Sequence, residues 1–184
     1  MTSPAPTSEG HVYLGHVFHV AGSPTLAEAP AHLVSLPQGA LVTASDGTIA
    51  WVGRAVDLPA DFDSLPVTDT RGGFILPGFV DTHVHFPQTY STDAYGGGQL
   101  LEWLDNCVFP AESRLQDDEF AAAIARDFTR RRTAAGTTSA LVFGSAFPHA
   151  QDALFAESER AGLRLVSGRE IGRASCRERV LWYV

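Results

Sequence analysis

The sequence predicts an α/β protein, and three observations support that prediction. Residues 11–73 contain short segments in which apolar and polar residues alternate, separated by Pro, Gly and Asp, as in a small β-sheet. Beyond residue 74, apolar strands alternate with amphipathic helices, and this alternation implies a parallel sheet. The first of these strands ends in Asp81-Thr82-His83-Val84-His85, so residues able to do chemistry stand where such a strand ends.

Composition narrows the possible functions. The 184 residues are 45% hydrophobic and 18% charged, with a formal charge of −8, which suits a folded domain and argues against a nucleic-acid partner. Every basic residue is arginine, which excludes a lysine Schiff base, a P-loop lysine and a lysine carbamate within this chain. Cys107 and Cys176 lack CxxC spacing, and no signal-peptide core or membrane-length apolar run occurs, so we expect a cytoplasmic protein.

The N-terminal region is expected to begin with a disordered leader at residues 1–10, followed by strands. Alternation over residues 11–20 predicts a strand whose buried face comprises Val12, Leu14, His16, Phe18 and Val20. Its histidines, His11, His16 and His19, are interpreted as structural or solvated. A short strand at 32–36 and a strand at 67–70 are also predicted, the latter followed by a turn at 71–73, with residues 74–76 leading to a corner at Pro77-Gly78. Residues 41–53 predict a hairpin with a type I′ turn at Asp46-Gly47, with Ile49 and Trp51 on a buried face.

The second half predicts alternating helices and strands. A helix is expected over 99–108, closed by Pro110, with Trp103 in the core. Asp117 is a candidate N-cap of a long helix that ends at Gly136, with Arg130 to Arg132 in its solvated last turns. A strand at 137–143, a helix at 151–161 and a strand at 163–167 follow. His149, beyond the second strand, is interpreted as a bystander.

The strand at 79–85 carries the candidate site. Alternation predicts that Phe79, Asp81, His83 and His85 share one face, while Val80, Thr82 and Val84 pack under helices. His83 and His85 would be about 6 to 7 Å apart at Cα. Two imidazoles at that spacing can hold one cation, so both are candidate metal ligands. The alternative is that this His-x-His pair is fortuitous.

Several segments together resemble the amidohydrolase superfamily and, within it, the guanine deaminase family, over residues 11 to 169. They are Leu76-Pro77-Gly78-Phe79-Val80-Asp81-Thr82-His83-Val84-His85, His85-Phe86-Pro87-Gln88-Thr89, Leu100-Leu101-Glu102-Trp103-Leu104, Phe109-Pro110-Ala111-Glu112 and Gly136-Thr137-Thr138-Ser139-Ala140. The first segment is shared by many cyclic-amide hydrolases and deaminases. The combination of Gln88 with the Leu100 and Phe109 segments is more specific.

The resemblance implies a fold and an activity. The fold is the N-terminal part, about three strands, of a (β/α)8 TIM barrel at residues 74–169, preceded by part of a small β-sandwich at 11–73. The activity is deamination of guanine to xanthine and ammonia at one zinc, with iron less favoured. His83 and His85 would bind the metal, His85 and Gln88 would contact the purine, and the full-length enzyme would be a homodimer. The amide of Gln88 offers both a donor and an acceptor, although Gln88 as an ordinary loop residue is the alternative.

The sequence also departs from the family pattern. Residues 170–184 lack an apolar period and resemble a sequencing-library adapter translated in frame, so we expect a non-native tail there. The family's remaining metal ligands and its proton-shuttling carboxylate come from later barrel strands, and no catalytic acid or base can be assigned here. This polypeptide is therefore expected to be inactive and aggregation-prone alone. Two alternatives are another mononuclear amidohydrolase acting on a different purine, pterin or triazine, and a non-catalytic binding module.

Overall fold

The computed structural model describes residues 9–91, 99–168 and 180–182. The chain divides into two compact units, Met1–Pro77 and Gly78–Val184. Each unit is built around its own four-stranded sheet. Within the residues described, no helix combines the length and the apolar character needed to cross a membrane.

The first unit is a mixed sheet. Its strands are β1 (His11–Val20), β2 (Leu33–Thr43), β3 (Ile49–Arg54) and β4 (Val67–Ile75), in the order β3-β2-β1-β4. Short 3-10 turns span Ala29–His32, Ala55–Asp57 and Ala60–Phe62. β1 is antiparallel to β2 and parallel to β4. The buried centre is Val12, Ala40 and Val42, against which Trp51 and other apolar side chains pack.

The strand β1 occupies its predicted range, but its buried face is not the one that alternation predicts. The pairing with β2 shifts register between Gly15 and Val17, where two steps on β1 match three on β2, so the extra residue lies on β2. An irregularity of this kind interrupts the regular alternation of faces along the pairing. The buried apolar residues of β1 are Val12 and Val17, an odd number of positions apart, whereas Val20 at the strand end is exposed.

The predicted hairpin joins β2 and β3, but its turn is of a different type. Gly47 has a φ of 83°, and among the residues that the structure describes, Asp46 included, only glycines have a positive φ, which rules out the type I′ turn. Instead the Gly47 amide donates to the Ala44 carbonyl at 3.0 Å, and Asp46 accepts from the Thr48 amide at 2.9 Å. Ile49 was wrongly predicted to be buried, since 63% of it is exposed beyond a second register shift.

The second unit contains the strand–helix series. Its strands are β5 (Phe79–His85), β6 (Thr137–Phe143), β7 (Arg164–Gly168) and β8 (Val180–Trp182), paired in that order. The first three are parallel, as predicted, and β8 runs antiparallel to β7. β8 falls within the segment expected to be a non-native tail, and most of that segment lies outside the described residues.

One helical segment runs from residue 100 to 116 and is longer than predicted. It comprises α1 (Leu100–Trp103), a π-helical turn (Leu104–Val108), α2 (Phe109–Ser113) and a 3-10 turn (Arg114–Gln116). Pro110 does not close it, because proline is tolerated in the first turn of the new helix α2. Leu100 and Leu101, expected on the buried face, are mostly exposed.

Two longer helices cover one face of the β5–β7 sheet. α3 (Asp118–Ala134) begins at Asp117, whose side chain accepts from the Phe120 amide at 2.8 Å, as predicted. α4 (Pro148–Ala161) ends at Gly162, which has a φ of 68°. The core between helices and sheet includes Leu115, Ala121, Ile124, Ala125, Phe128, Ala140, Val142, Ala150, Leu154 and Leu165.

Candidate metal and substrate site

The strand β5 carries the two histidines, and an irregularity decides which way they face. Against β6, Asp81 aligns with Ala140 and Val84 aligns with Val142, so three steps on β5 match two on β6. Ala140 and Val142 both belong to the core beneath the helices. Asp81 and Val84 therefore face the helices, and the strand is bulged between them.

This bulge corrects the prediction that Asp81 shares a face with the histidines. The carboxylate of Asp81 lies 3.6 Å from the guanidinium of Arg132 on α3, and its other oxygen accepts from the His83 amide at 3.1 Å. Arg132 is thus paired with the strand, although the three arginines were predicted to form a solvated helix end. Its neighbours Arg130 and Arg131 do pair at the surface, with Asp127.

His83 and His85 lie side by side on the face opposite Val84. Their ring centroids are 5.2 Å apart, with the ring planes inclined at 60°. Both contact Phe143, the last residue of β6: its centroid is 4.8 Å from that of His83 and 4.6 Å from that of His85. The rings of His85 and Phe143 are nearly parallel, at 12°. His83 is exposed and His85 is half-buried, so a solute can reach the pair from the open face.

The turn after β5 is firmly anchored beside the pair. Phe86, the first residue of a 3-10 turn (Phe86–Gln88), is fully buried and meets Phe128 of α3 edge-to-face at 5.8 Å. Thr89 is buried too, and its hydroxyl donates to the Phe86 carbonyl at 2.7 Å. The Ser91 amide closes the turn by donating to the Gln88 carbonyl at 2.9 Å. The backbone of Gln88 is therefore fixed relative to the end of β5.

The side chain of Gln88 is oriented by an acid from the helical segment. Its Nε2 lies 3.4 Å from Oε1 of Glu112 in α2, and a carboxylate can only accept there. The amide is thus turned with its NH2 group toward Glu112, leaving its carbonyl oxygen as the atom available to another donor. Glu112 belongs to the Phe109-Pro110-Ala111-Glu112 segment, but sequence reasoning assigned it no role in the site.

The residues present fit part of a metal centre. Two imidazole nitrogen donors on one face suit zinc, which proteins bind with three or four such ligands. Among the residues described, however, no group of three His, Cys, Asp or Glu side chains converges. Asp81 is turned away, as shown above. The chain therefore supplies two candidate ligands and does not complete a centre within its described part.

The other histidines are placed elsewhere. His149 lies with Nε2 2.7 Å from the Leu115 carbonyl and 3.3 Å from Asp118, so it ties α4 to the start of α3. His11 hydrogen-bonds Thr68 at 2.7 Å, and His16 hydrogen-bonds Ser35 at 2.8 Å. These contacts agree with the structural roles that the sequence suggested. The contact of Phe143 with the two histidines was not predicted from the sequence. The one sequence feature that could have indicated it is the position of Phe143 at the end of the predicted strand that follows β5.

Comparison with known proteins identifies the family. The profile of the amidohydrolase family matches residues 74–181, more than half of the chain. The chain belongs to the amidohydrolase family.

Within that family the chain is similar to guanine deaminases. It is 41% identical over 164 residues to a probable guanine deaminase of Deinococcus radiodurans, covering 87% of this chain and 37% of that protein. The structure matches E. coli guanine deaminase with a TM-score of 0.74 at 34% identity, covering 87% of this chain and 36% of the other. For guanine deaminase from Bradyrhizobium japonicum the TM-score is 0.77 at 31% identity, with 87% and 35% covered.

These matches bear out the predicted fold class. The series β5 to β7 with its covering helices is the N-terminal part of a TIM barrel, and the sheet β1 to β4 is part of the small β-sandwich that precedes it. The chain spans a little over a third of the length of these relatives.

Proposed function

We propose that this chain provides the N-terminal part of a metal-dependent guanine deaminase. His83 and His85 would be two of the metal ligands, and His85 and Gln88 would contact the purine. One observation carries the proposal: the two imidazoles stand together on the open face of β5, and an oriented amide is fixed in the turn that follows. The similarity to guanine deaminases supports guanine as the substrate.

The proposed reaction is a hydrolysis. Water adds at the ring carbon that bears the exocyclic amino group, the C–N bond breaks, and xanthine and ammonia leave. Zinc held by neutral nitrogen ligands would lower the pKa of the attacking water, so that hydroxide is available at neutral pH. Iron is the less favoured metal. Proton transfer to the departing ammonia requires an acid or base that we do not assign to this chain.

The contribution of this chain would be to bind and orient the substrate. The carbonyl oxygen of Gln88, left available by the contact with Glu112, can accept from an N–H group on the edge of guanine. Phe143 stacks on His85 and limits rotation of that ring, so the imidazole can keep one orientation as metal or purine binds. Substrate specificity would then depend partly on how rigidly the Phe86–Gln88 turn is held.

The test is a hybrid enzyme. Residues 11–168 of this chain would replace the matching part of the E. coli enzyme, and ammonia release from guanine would be measured together with zinc content. We expect the hybrid to form xanthine. His83→Ala and His85→Ala should each lower kcat/KM at least about 100-fold. Loss of a residue that only hydrogen-bonds a metal ligand costs about 10- to 100-fold, and loss of the ligand itself should cost no less.

The matched control is His32→Ala, since His32 is an exposed histidine in the first unit. We expect it to leave zinc content and kcat/KM unchanged. Unchanged zinc content in His83→Ala and His85→Ala would contradict the proposed ligands and favour the non-catalytic module. A hybrid that folds and binds zinc, yet acts on adenine, a pterin or a triazine and not on guanine, would contradict the substrate.

A further inference from the structure

We propose that Asp81 is the positioning residue for the imidazole pair: its carboxylate fixes the β5 bulge by binding the His83 amide and anchors that bulge to α3 through Arg132. The consequence for metal binding rests on the proposed function. The positioning itself depends only on the described geometry of β5, β6 and α3.

The bulge requires such a contact. Regular pairing with β6 is interrupted between Asp81 and Val84, so the backbone there loses its regular ladder partners. Backbone N–H groups in a folded structure need an acceptor. The Asp81 carboxylate provides it for His83, at 3.1 Å, two residues along the chain. A short acceptor side chain that binds the backbone two residues on stabilises a turn-like kink in place of a straight strand.

The second oxygen of Asp81 connects the bulge to a helix. It lies 3.6 Å from Nη1 of Arg132, whose guanidinium carbon is 5.9 Å from the centre of the Phe128 ring. Phe128 is buried in the core and also meets Phe86, the residue that anchors the turn of Gln88. Asp81 therefore ties the backbone of His83 to the same helix that holds the Gln88 turn.

The contact has a direct effect on the site. With the bulge, Asp81 and Val84 face the helices, and His83 and His85 face the open side together. A strand without the bulge would place Asp81, His83 and His85 on one face, as simple alternation predicts. Loss of the Asp81 contact should thus let the backbone of His83 shift and change how both rings meet Phe143, whose centroid is now 4.8 Å from that of His83 and 4.6 Å from that of His85.

The test uses the 184-residue chain labelled with 15N-histidine, which gives seven labelled residues, at a concentration at which sedimentation shows the chain to be monomeric. His83→Ala and His85→Ala assign the two signals of interest. In Asp81→Ala we expect the His83 amide to exchange with solvent at least about tenfold faster, as expected when a local hydrogen bond opens. The His85 ring protons should also lose the shift that stacking on Phe143 produces.

Two further variants separate the two contacts of Asp81. Asp81→Asn keeps an acceptor for the His83 amide but loses the charge beside Arg132, so it should restore slow exchange and only part of the ring shift. Arg132→Gln should likewise leave the His83 exchange rate near that of the unmodified chain and reduce the ring shift, because it removes only the contact with α3. If Asp81→Ala unfolds the chain, the comparison of Asp81→Asn with Asp81→Glu replaces it, because the longer Glu side chain places its carboxylate beyond the His83 amide.

Asp69→Ala is the matched control. Asp69 likewise accepts from the amide two residues on, that of Arg71, at 2.9 Å and pairs with its guanidinium, but it lies in the first unit. It should leave both His signals unchanged. An Asp81→Ala chain with unaltered His83 exchange and His85 shift would overturn the proposal.

Zinc affinity is measured separately, by chelator competition. If His83→Ala leaves the zinc affinity unchanged, the proposed metal role is wrong, while the histidine signals still decide the role of Asp81.

Discussion

At the scale of single residues, the candidate site depends on how its side chains are oriented as well as on which residues they are. Gln88 illustrates this, because an amide can present either its oxygen or its nitrogen to a ligand. The carboxylate of Glu112, 3.4 Å from Nε2, selects the orientation in which the oxygen is available. A purine edge that donates an N–H group would match this orientation, and one that only accepts would not.

Removal of the Gln88 amide should therefore weaken guanine binding without loss of the metal. In the hybrid enzyme, Gln88→Ala should lower kcat/KM for guanine about 10- to 100-fold, the effect of one lost hydrogen bond in a buried site, mainly through KM. Zinc content should stay unchanged, which metal analysis would check. Gln116→Ala, at an exposed glutamine nearby in the chain, is the control. Equal kinetics for Gln88→Ala and Gln116→Ala would mean that Gln88 is an ordinary loop residue.

The residues of the site were only partly predictable from sequence. A His-x-His pair at the end of an apolar strand is visible in the printed order of residues. The direction of Asp81 is not visible, because strict alternation assumes a regular strand and gives no sign of a bulge. Phe143 and Glu112 reach the site through the pairing of β5 with β6 and through the placement of α2, which are tertiary contacts.

At the scale of secondary-structure elements, prediction succeeded where a residue that commonly ends helices or strands, such as glycine, stands at each end of an element. β6 was predicted to the residue, since Gly136, with a φ of 85°, ends the helix before it and Gly144 follows it. The 99–108 helix was wrongly predicted to stop before Pro110, because proline is equally acceptable in the first turn of a new helix. The helical spacing of apolar residues in this segment also gave a wrong prediction, because Leu100 and Leu101 were expected to be buried and are exposed.

The contact between β6, β7 and α4 supports a prediction at this scale. Gln151 of α4 is buried; its Oε1 lies 3.3 Å from the Ser145 amide and its Nε2 is 2.9 Å from the Ser167 hydroxyl. A Cβ atom on Gly144 would stand 2.0 Å from Oε1 of Gln151 and 2.5 Å from the Gly168 carbonyl oxygen. Gly144→Ala should therefore lower the free energy of unfolding by about 1 to 3 kcal/mol, measured by urea denaturation.

Gly168→Ala is the matched control, because a Cβ on Gly168 would meet no atom of the described chain within 4 Å. We expect it to change the free energy of unfolding by less than about 0.5 kcal/mol, as for an ordinary surface substitution. A Gly144→Ala chain as stable as Gly168→Ala would show that Gln151 can move aside at little cost.

At the scale of the whole molecule, the second unit leaves one face of its sheet open. The helices cover the face that carries Ala140 and Val142, whereas Val80, Leu141 and Phe143 are 67%, 47% and 41% exposed. The imidazole pair stands on this open face, beside Phe143. Apolar surface of this kind promotes association, and strand edges add to that tendency.

The 184-residue chain alone should consequently show no guanine deaminase activity, and it should associate as its concentration rises. Two imidazoles bind zinc weakly, since stable centres use three or four ligands and no third ligand converges with them in the described residues. Ammonia release and sedimentation would be measured on the chain and on the hybrid enzyme in parallel. Leu141→Thr, which keeps a strand-forming residue but removes apolar surface, should reduce association and leave the chain inactive. A monomeric, zinc-loaded chain that deaminates guanine without further residues would refute this account of the site.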